Sequence, residues 1–187
     1  MAVLALTFKQ DNPCNTTILA DDAAVLYTVA TSFADADKPV TYVHTPYGER
    51  VAEWEWRDAR SDILTLGMRP QVSASAWLKK SIIPYKGTVT FKDDLGVEYK
   101  WTNNLPGQSL QLYGPQSKTE PIARFVRARK GQPQPSMLLL DECAKRMRDM
   151  VVVSFLLLER RRRESEVETS SRAAALAIPL ATLSCCR

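Results

Sequence analysis

Few residues in this chain have the types and spacing that catalysis needs. The 187-residue sequence contains one histidine, His44, so a His-dependent catalytic group or metal site would depend on that residue alone. Glu53 and Glu55 alternate along a predicted strand, which puts them about 7 Å apart on one face, a separation compatible with glycoside hydrolysis. Alternating acids are more often the solvated face of a strand. The sequence contains no G-x-S-x-G, H-E-x-x-H, P-loop or G-x-G-x-x-G pattern.

The cysteines and the paired acids do not supply the missing chemistry. None of the cysteines has Cys-x-x-Cys or zinc-ligand spacing, and we expect them to be reduced thiols. They are Cys14, Cys143, Cys185 and Cys186. Asp21 and Asp22, like Asp93 and Asp94, lie in predicted turns without the ligand spacing of a calcium loop. We therefore predict a protein that is not an enzyme and has no metal or other cofactor.

Basic residues are concentrated between residues 118 and 163. This stretch holds twelve Lys and Arg against five acids, an excess of seven positive charges, whereas the whole chain has a net charge of +4. Such an excess indicates either a surface for anionic partners or an ordinary solvated face beside a helix C-terminus. The candidate contacts for anionic lipid, including three earlier lysines, are Lys79, Lys80, Lys86, Arg124, Arg127, Arg129, Lys130, Arg160, Arg161, Arg162 and Arg163.

Short segments rich in β-branched and aromatic residues, separated by turn signals, occupy the chain before residue 141. Their regular spacing favours an antiparallel barrel or sandwich over alternating strands and helices. The segments are residues 3–8, 16–19, 25–30, 40–44, 50–56, 62–66, 74–78, 87–91, 98–101, 109–113, 122–126 and 136–140. Segments 87–91 and 98–101 flank a turn of about four or five residues and predict a hairpin. Within residues 50–56, Ala52, Trp54 and Trp56 share the face expected to be buried.

An apolar block at residues 150–158 has no polar stripe and must be buried on every side. As a helix it would be about 14 Å long, too short for the roughly 30 Å apolar core of a bilayer. We predict a helix from about residue 143 or 145 to residue 163, capped by Asp141 and enclosed by the strands. Its predicted core residues are Met150, Val151, Val152, Val153, Phe155, Leu156, Leu157 and Leu158. They precede Glu159 and the arginine run, which comprises Arg160, Arg161, Arg162 and Arg163.

The chain is predicted to form one domain over residues 1–163, followed by a disordered tail over residues 164–187. The N-terminal segment reads as a first strand and not as an export signal, which predicts a cytoplasmic protein. Cys185 and Cys186 are candidates for palmitoylation, although Arg187 does not fit a prenylation ending. An unstructured or non-native tail is the alternative.

Several short motifs, in conserved order along the chain, resemble a family of domains of unknown function that is widespread in fungi. They are NPCNT at residues 12–16, YTVAT at 27–31, AEWEW at 52–56, YKW at 99–101, PIARF at 121–125 and DMVVVSF at 149–155. That family is similar to the tubby C-terminal-like superfamily, which includes the LURP-one-related and phospholipid scramblase domains. The resemblance covers about residues 3–163 and leaves the tail outside.

The resemblance implies a mainly β fold, a closed antiparallel barrel of about twelve strands around a central apolar C-terminal helix. In that superfamily, tubby domains bind phosphoinositides and scramblases act at membranes, whereas the fungal family has no catalytic residues to transfer. A fold alone does not imply a function.

Two functions therefore stay open, and both describe a non-enzymatic binding module. The first is docking on anionic, phosphoinositide-like membrane lipid at the periphery of a membrane. The second is a protein-interaction or structural module without a small ligand. No transmembrane span is predicted, because no stretch reaches the roughly 18 apolar residues of a spanning helix. Nucleic acid is not an expected partner, because the aromatic residues lie among acids and away from the basic runs.

Overall fold

Thirteen short strands precede a long C-terminal helix in the computed structural model, which describes residues 3–35, 37–57, 60–83, 87–117, 119–128 and 134–176. The strands are β1 (Leu4–Phe8), β2 (Thr16–Leu19), β3 (Val25–Ser32), β4 (Val40–His44), β5 (Arg50–Glu55), β6 (Ile63–Leu66), β7 (Val72–Ser73), β8 (Lys79–Lys80), β9 (Val89–Lys92), β10 (Glu98–Thr102), β11 (Gln111–Tyr113), β12 (Ala123–Val126) and β13 (Met137–Leu140). The helices are α1 (Ala74–Trp77), α2 (Glu142–Arg146) and α3 (Arg148–Leu176).

The strands form one antiparallel sheet in the order β7-β6-β5-β4-β3-β2-β1-β13-β12-β11-β10-β9-β8. The first and last strands pair in the middle of the sheet, where Leu4 lies opposite Leu140. The edge strands β7 and β8 are consecutive in the chain and are joined by α1. In the described residues no ladder joins these two edges, so the expectation of a closed barrel is corrected to an open sheet of 13 strands.

Helix α1 occupies a segment that the sequence predicted as a strand, residues 74–78. The Leu78 amide donates to the Ala74 carbonyl oxygen at 2.8 Å, closing one helical turn. The Ala74 amide donates to the Asp62 carbonyl oxygen at 2.8 Å and ties this turn to the chain before β6. The prediction failed because this short segment spans the gap between two sheet edges, a tertiary constraint that overrides local strand propensity.

Two local predictions are confirmed. Strands β9 and β10 form the expected hairpin, with Phe91 opposite Tyr99. In β5, Ala52 and Trp54 are buried as the alternation predicted, and Glu53 between them faces outward, whereas Trp56, which was predicted on the same buried face, is half-buried just after the strand. Both predictions depended on side chains close together in sequence, where strand pleating alone determines the face.

The apolar block lies inside the curved sheet as the first part of α3. Residues 151–158 are at most 1% exposed, whereas Met150 is half-buried. The ring of Phe155 lies 4.7 Å from Phe125 on β12, 5.5 Å from Phe8 on β1 and 6.3 Å from Trp101 on β10, measured between centroids. Strands from different parts of the sheet therefore contact one helix side chain, and the sheet wraps around α3.

The chain enters this helix through a cap and a break. The Asp141 side chain accepts from the amides of Cys143 and Ala144, both at 2.8 Å, as the sequence predicted for an N-cap. The single predicted helix is divided in two, because Met147 leaves helical dihedral angles, with φ −118° and ψ 30°. Helix α2 thus ends before α3 enters the sheet.

Helix α3 continues 13 residues beyond Arg163, to Leu176, where the sequence predicted a disordered tail. Its exposed part is supported by ion pairs one turn apart, Arg160 with Glu164 and Arg162 with Glu166. The predicted lipidation candidates Cys185 and Cys186 lie outside the described residues. Within the described residues, no helix is both long enough and apolar enough to span a membrane.

Candidate functional site

The two ends of the sheet differ in what lies beside α3. Because all strands are antiparallel, alternate connections meet at the same end of the sheet. We call the end where residues 159–163 of α3 emerge the basic end; the connections β1–β2, β3–β4, β5–β6, β8–β9, β10–β11 and β12–β13 meet there. We call the end where α3 begins the opposite end. Contacts of Arg163 with Asp11 and of Arg160 with Asp62 mark the basic end.

A cleft of about 360 Å³ opens at the basic end between the β5–β6 connection, α1, β8 and α3. Its lining residues, which define the basic cleft, are Arg57, Arg60, Ser61, Asp62, Ser75, Leu78, Lys80, Arg160, Arg161 and Glu164. Five of these residues are Arg or Lys and two are acidic, so the lining carries three net positive charges. The predicted contacts Lys80, Arg160 and Arg161 are therefore brought together, although Lys80 is far from the two arginines in sequence.

Arg160 forms the inner wall of the basic cleft and is held on three sides. Its guanidinium donates to Asp62 at 3.0 Å and to Glu164 at 2.8 Å. It also lies over the ring of Trp56, with 3.8 Å between the guanidinium carbon and the ring centroid. A guanidinium stacked on an indole and fixed by two carboxylates is rigid, which lowers the entropic cost of presenting it to a ligand.

Asp62 holds two arginines of the cleft with one carboxylate. Its side chain is 5% exposed and accepts from Arg160 at 3.0 Å and from Arg161 at 3.4 Å. The same carboxylate accepts from the Arg57 amide at 3.1 Å, which secures the β5–β6 connection. Asp62 and Glu164 together balance the charges of Arg160 and Arg161, so the excess positive charge of the lining comes from Arg57, Arg60 and Lys80.

The outer rim of the cleft is formed by cations with less compensation. Arg57 pairs with Glu55 at 2.9 Å and stays exposed. Arg60, Lys80 and the neighbouring Lys79 are exposed, and in the part of the chain that the structure describes they have no ion-pair partner. These three side chains are the cations most available to an incoming anion.

The remaining arginines of the arginine run are not available in the same way. Arg162 is 4% exposed; its guanidinium donates to Glu159 at 2.8 Å and also contacts Glu166. Arg163 donates to Asp11 at 2.6 Å and to Glu159 at 2.7 Å. The predicted lipid contact of Arg162 is corrected, because its side chain is buried and committed to carboxylates.

Arg163 is also a poor candidate for a free cation. Burial acts to lower the pKa of its guanidinium, but the hydrogen bonds and charges of Asp11 and Glu159 raise it above its ordinary value. The group is thus permanently charged, and that charge is used to hold α3 against the β1–β2 connection.

The other predicted contacts lie away from the basic cleft. Arg124 is exposed on β12, and Arg127 pairs with Glu166 at 3.0 Å. Together with Arg162 they line a second hollow of about 420 Å³ on the far side of α3. Three further predicted contacts, Lys86, Arg129 and Lys130, lie outside the described residues.

The candidates for catalysis do not converge. Glu53 pairs with Arg50 at 2.8 Å and Glu55 with Arg57 at 2.9 Å, both on the face of β5 opposite its buried residues. His44 stacks on Tyr42, with 5.9 Å between the ring centroids. The hollow that His44 lines contains neither glutamate.

Thiol and metal chemistry find no support in the described residues either. Burial raises the pKa of the Cys14 thiol to about 11, so it is protonated at neutral pH. Among the residues that the structure describes, no three His, Cys, Asp or Glu side chains are grouped to hold a metal ion.

Sequence reasoning missed Arg57, Arg60 and Asp62, which complete the cleft. These residues lie in the segment WRDARSD, where acids and bases alternate and no charge excess is visible. The signal that could have found them is the topology of the sheet, because the β5–β6 connection lies at the end of the sheet where α3 emerges. That signal becomes readable only once the strand order is known.

Comparisons with known proteins identify a family without an assigned activity. A solved X-ray structure of a protein from Arabidopsis thaliana is similar to this chain with 14% sequence identity and a TM-score of 0.43. The match covers 81% of this chain and 89% of the Arabidopsis chain. No curated protein matches the chain. The model of the family of unknown function DUF6593 matches residues 11–164, and the chain therefore belongs to that family.

Proposed function

We propose that this protein is a non-enzymatic module that binds anionic membrane lipid through the basic cleft. The observation that carries the proposal is the convergence of Arg57, Arg60, Lys80, Arg160 and Arg161 around one opening. A cleft of about 360 Å³ lies at the small end of the range for ligand sites, roughly 300–1,000 Å³, and suits a headgroup better than a whole lipid.

Some cations of the cleft are held in place and others are free to move, and this difference supports the proposal. Arg160 and Arg161 are held in place by Asp62, whereas Arg60 and Lys80 are free to move toward a phosphate. Rigid guanidinium groups give directional, bidentate hydrogen bonds to phosphate oxygens, and flexible lysines add charge at longer range. Each basic residue near an anionic leaflet contributes about 1 kcal/mol.

The family match does not state a fold. We propose that the sheet wrapped around an apolar helix is a variant of the tubby C-terminal-like architecture, opened between β7 and β8. The short sequence motifs between residues 12 and 155 and the enclosure of residues 151–158 support this proposal. Tubby domains of that superfamily bind phosphoinositides, which is consistent with the lipid binding proposed above. Binding measurements test that function.

The test is flotation of the full chain with phosphatidylcholine vesicles that carry a panel of phosphoinositides, at low and high salt. The double variant Arg60→Gln/Lys80→Gln should bind roughly 30-fold more weakly, because two contributions of about 1 kcal/mol are lost. Lys92→Gln/Arg146→Gln removes the same charge at the opposite end and should bind like the unaltered protein.

Equal losses in the two double variants would contradict the assignment of the cleft. Binding that changes with neither the lipid headgroup nor the salt concentration would contradict lipid recognition. The second candidate function, a protein-interaction module, would then lead. It is supported by exposed apolar side chains at the opposite end, where Met68 is 97% and Leu95 is 88% exposed.

A further inference from the structure

Two adjacent isoleucines extend from the basic end into solvent. Ile82 is 98% exposed and Ile83 is 58% exposed, in the connection between β8 and β9. Large aliphatic side chains are among the residues most often buried, so two consecutive exposed isoleucines on a charged protein require an explanation.

The base of this connection is fixed beside the basic cleft. Lys80 lines the cleft and lies opposite Val89 in the ladder between β8 and β9. The Ser81 amide donates to the Thr88 carbonyl oxygen at 2.9 Å, and the Ile83 amide donates to the Ser81 hydroxyl at 3.2 Å. The isoleucines therefore follow the cleft lysine by two and three residues on an anchored turn.

A second apolar side chain lies on another side of the same cleft. Phe33, in the β3–β4 connection, is 60% exposed and packs edge-on against Trp56, with 6.0 Å between ring centroids. Trp56 is the ring on which Arg160 stacks. The cationic opening is thus flanked by Phe33 on one side and by Ile82 and Ile83 on the other.

We propose that Ile82 and Ile83 insert into the interfacial layer of an anionic phospholipid bilayer while the basic cleft binds headgroups, with Phe33 as a second, shallower contact. The inference rests on the lipid binding proposed above and adds a membrane anchor and an orientation. Helix α3 then meets the bilayer with its emerging end, and the opposite end faces away.

Charge complementarity favours a bilayer as the occupant over a protein surface. At the basic end, the exposed isoleucines follow Lys80 by two and three residues, which places apolar side chains close to cations, as required where acyl chains lie beneath phosphate groups. At the opposite end, the exposed Leu95 directly follows Asp93 and Asp94, and an anionic leaflet would repel that turn. Arg69, the cation beside the exposed Met68 at the opposite end, is paired with Asp94 at 2.5 Å, whereas Lys79 and Lys80 have no ion-pair partner among the described residues.

The experiment uses the full chain and vesicles of phosphatidylcholine and phosphatidylserine in a ratio of about four to one. Ile82→Ser/Ile83→Ser should lower the vesicle partition coefficient roughly 10-fold to 100-fold and leave its salt dependence unchanged. Arg60→Gln/Lys80→Gln should weaken binding and also flatten the salt dependence. The matched control, Met68→Ser/Leu95→Ser, removes two apolar side chains at the opposite end that are together more exposed than the isoleucines, and it should change neither quantity.

Insertion itself is read out by quenching with brominated phosphatidylcholine. Ile82→Trp adds one indole to the four native tryptophans, and its added fluorescence should be quenched on vesicle binding. Met68→Trp, on the same background, should add fluorescence that is not quenched. Circular dichroism checks that every variant is folded, which is expected because each substituted side chain is exposed.

The outcomes separate the two proposals. Vesicle binding that depends on Arg60 and Lys80 but not on Ile82 and Ile83, with an unquenched indole at position 82, overturns the anchor and leaves the cleft proposal standing. Failure of the unaltered protein to bind these vesicles and the phosphoinositide panel overturns both. Equal losses in the two serine double variants overturn the proposed orientation.

Discussion

Two successive segments of α3 are buried by different means. Residues 151–158 are enclosed by apolar side chains of the sheet, with aromatic rings at centroid distances down to 4.7 Å. Glu159 and the arginine run follow at once, and Arg162 is nearly as buried as the apolar segment. The comparison teaches that four consecutive arginines are not by themselves a basic surface, because each of them has at least one carboxylate partner in the folded protein.

The polar groups of the apolar segment form neutral hydrogen bonds, whereas those of the charged segment form ion pairs. In the apolar segment, Ser154 accepts from the Trp101 indole at 3.0 Å and donates to the Val151 carbonyl oxygen at 3.0 Å. In the charged segment, Glu159 accepts from both Arg162 and Arg163. A buried neutral group left without its partner costs about 1–3 kcal/mol, whereas a buried ion left without its partner costs about 3–5 kcal/mol.

The largest effect is expected from placing a charge in the apolar segment. Val152→Asp puts an unpaired carboxylate at a position with 0% exposure, and we expect loss of folding. The cost is several kcal/mol, against a total stability of roughly 5–15 kcal/mol. The measurement is thermal unfolding followed by circular dichroism. Val167→Asp, at an exposed position of the same helix, is the control and should leave the melting temperature nearly unchanged.

A variant Val152→Asp that melts at the same temperature as the unaltered protein would show that the sheet does not enclose this helix. Phe155→Asp provides an independent second test at a site that contacts rings from three strands. A Phe155→Asp variant that melts at an unchanged temperature would lead to the same conclusion.

A smaller loss is expected from removing the central carboxylate of the charged segment. Glu159→Gln leaves the buried Arg162 with Glu166 alone, and it removes one of the two acids that hold Arg163. We expect the free energy of unfolding to fall by about 3 kcal/mol, as when one partner of a buried pair is removed. Urea denaturation measures this change.

The matched control is Glu168→Gln, an exposed glutamate of the same helix, which should change stability by less than about 0.5 kcal/mol. If Glu159→Gln were no more destabilising than this control, the charged segment would be held by its apolar neighbours and not by its ion pairs.

The smallest expected effect is a dependence of stability on pH, which comes from the carboxylates that pair with the arginine run. Burial acts to raise the pKa of Glu166, but hydrogen bonds from the Gly107 amide and Arg127, with the charge of Arg162, hold it below its ordinary value of 4.5. A carboxylate whose pKa is lower in the folded state than in the unfolded state stabilises the fold at pH values above its ordinary pKa. That stability is lost as the pH falls through the folded-state pKa.

We therefore expect the melting temperature to fall as the pH is lowered below about 4.5, and to fall less in Glu166→Gln. Asp11 adds to the trend, because bonds from Arg163 and Ser136 outweigh burial and lower its pKa below 3.8. Glu168→Gln should retain the full acid sensitivity. Equal acid sensitivity in both glutamine variants would assign the pH dependence to other groups.

Local features of the fold were predictable from local sequence. The Asp141 cap and the β9–β10 hairpin depend on residues within a few positions of one another, and both were found. Residues 74–78 were predicted as a strand and form α1 instead, because that segment has to span the open edge of the sheet. The helical residues 164–176 were missed because the composition alone predicts disorder; ion pairs one turn apart join the first of them, Glu164 and Glu166, to the arginine run.

The candidate site was only half predictable. The sequence indicated Lys80, Arg160 and Arg161 as cations, but it could not show that they meet Arg57 and Arg60. It also ranked all four members of the arginine run alike. Of the acids that distinguish them, Asp11 and Asp62 come from other parts of the chain, whereas Glu166 lies one turn after Arg162 on the same helix.

By itself, the sequence determined that this protein has many short strands and one helix that must be enclosed, because hydrophobic periodicity is a local property of the chain. The tertiary structure decided which arginines are neutralised, where the cationic cleft opens and which apolar residues stay exposed beside it. These properties depend on contacts between residues as far apart as Asp62 and Arg160, and the strand order that creates those contacts is written in no single segment.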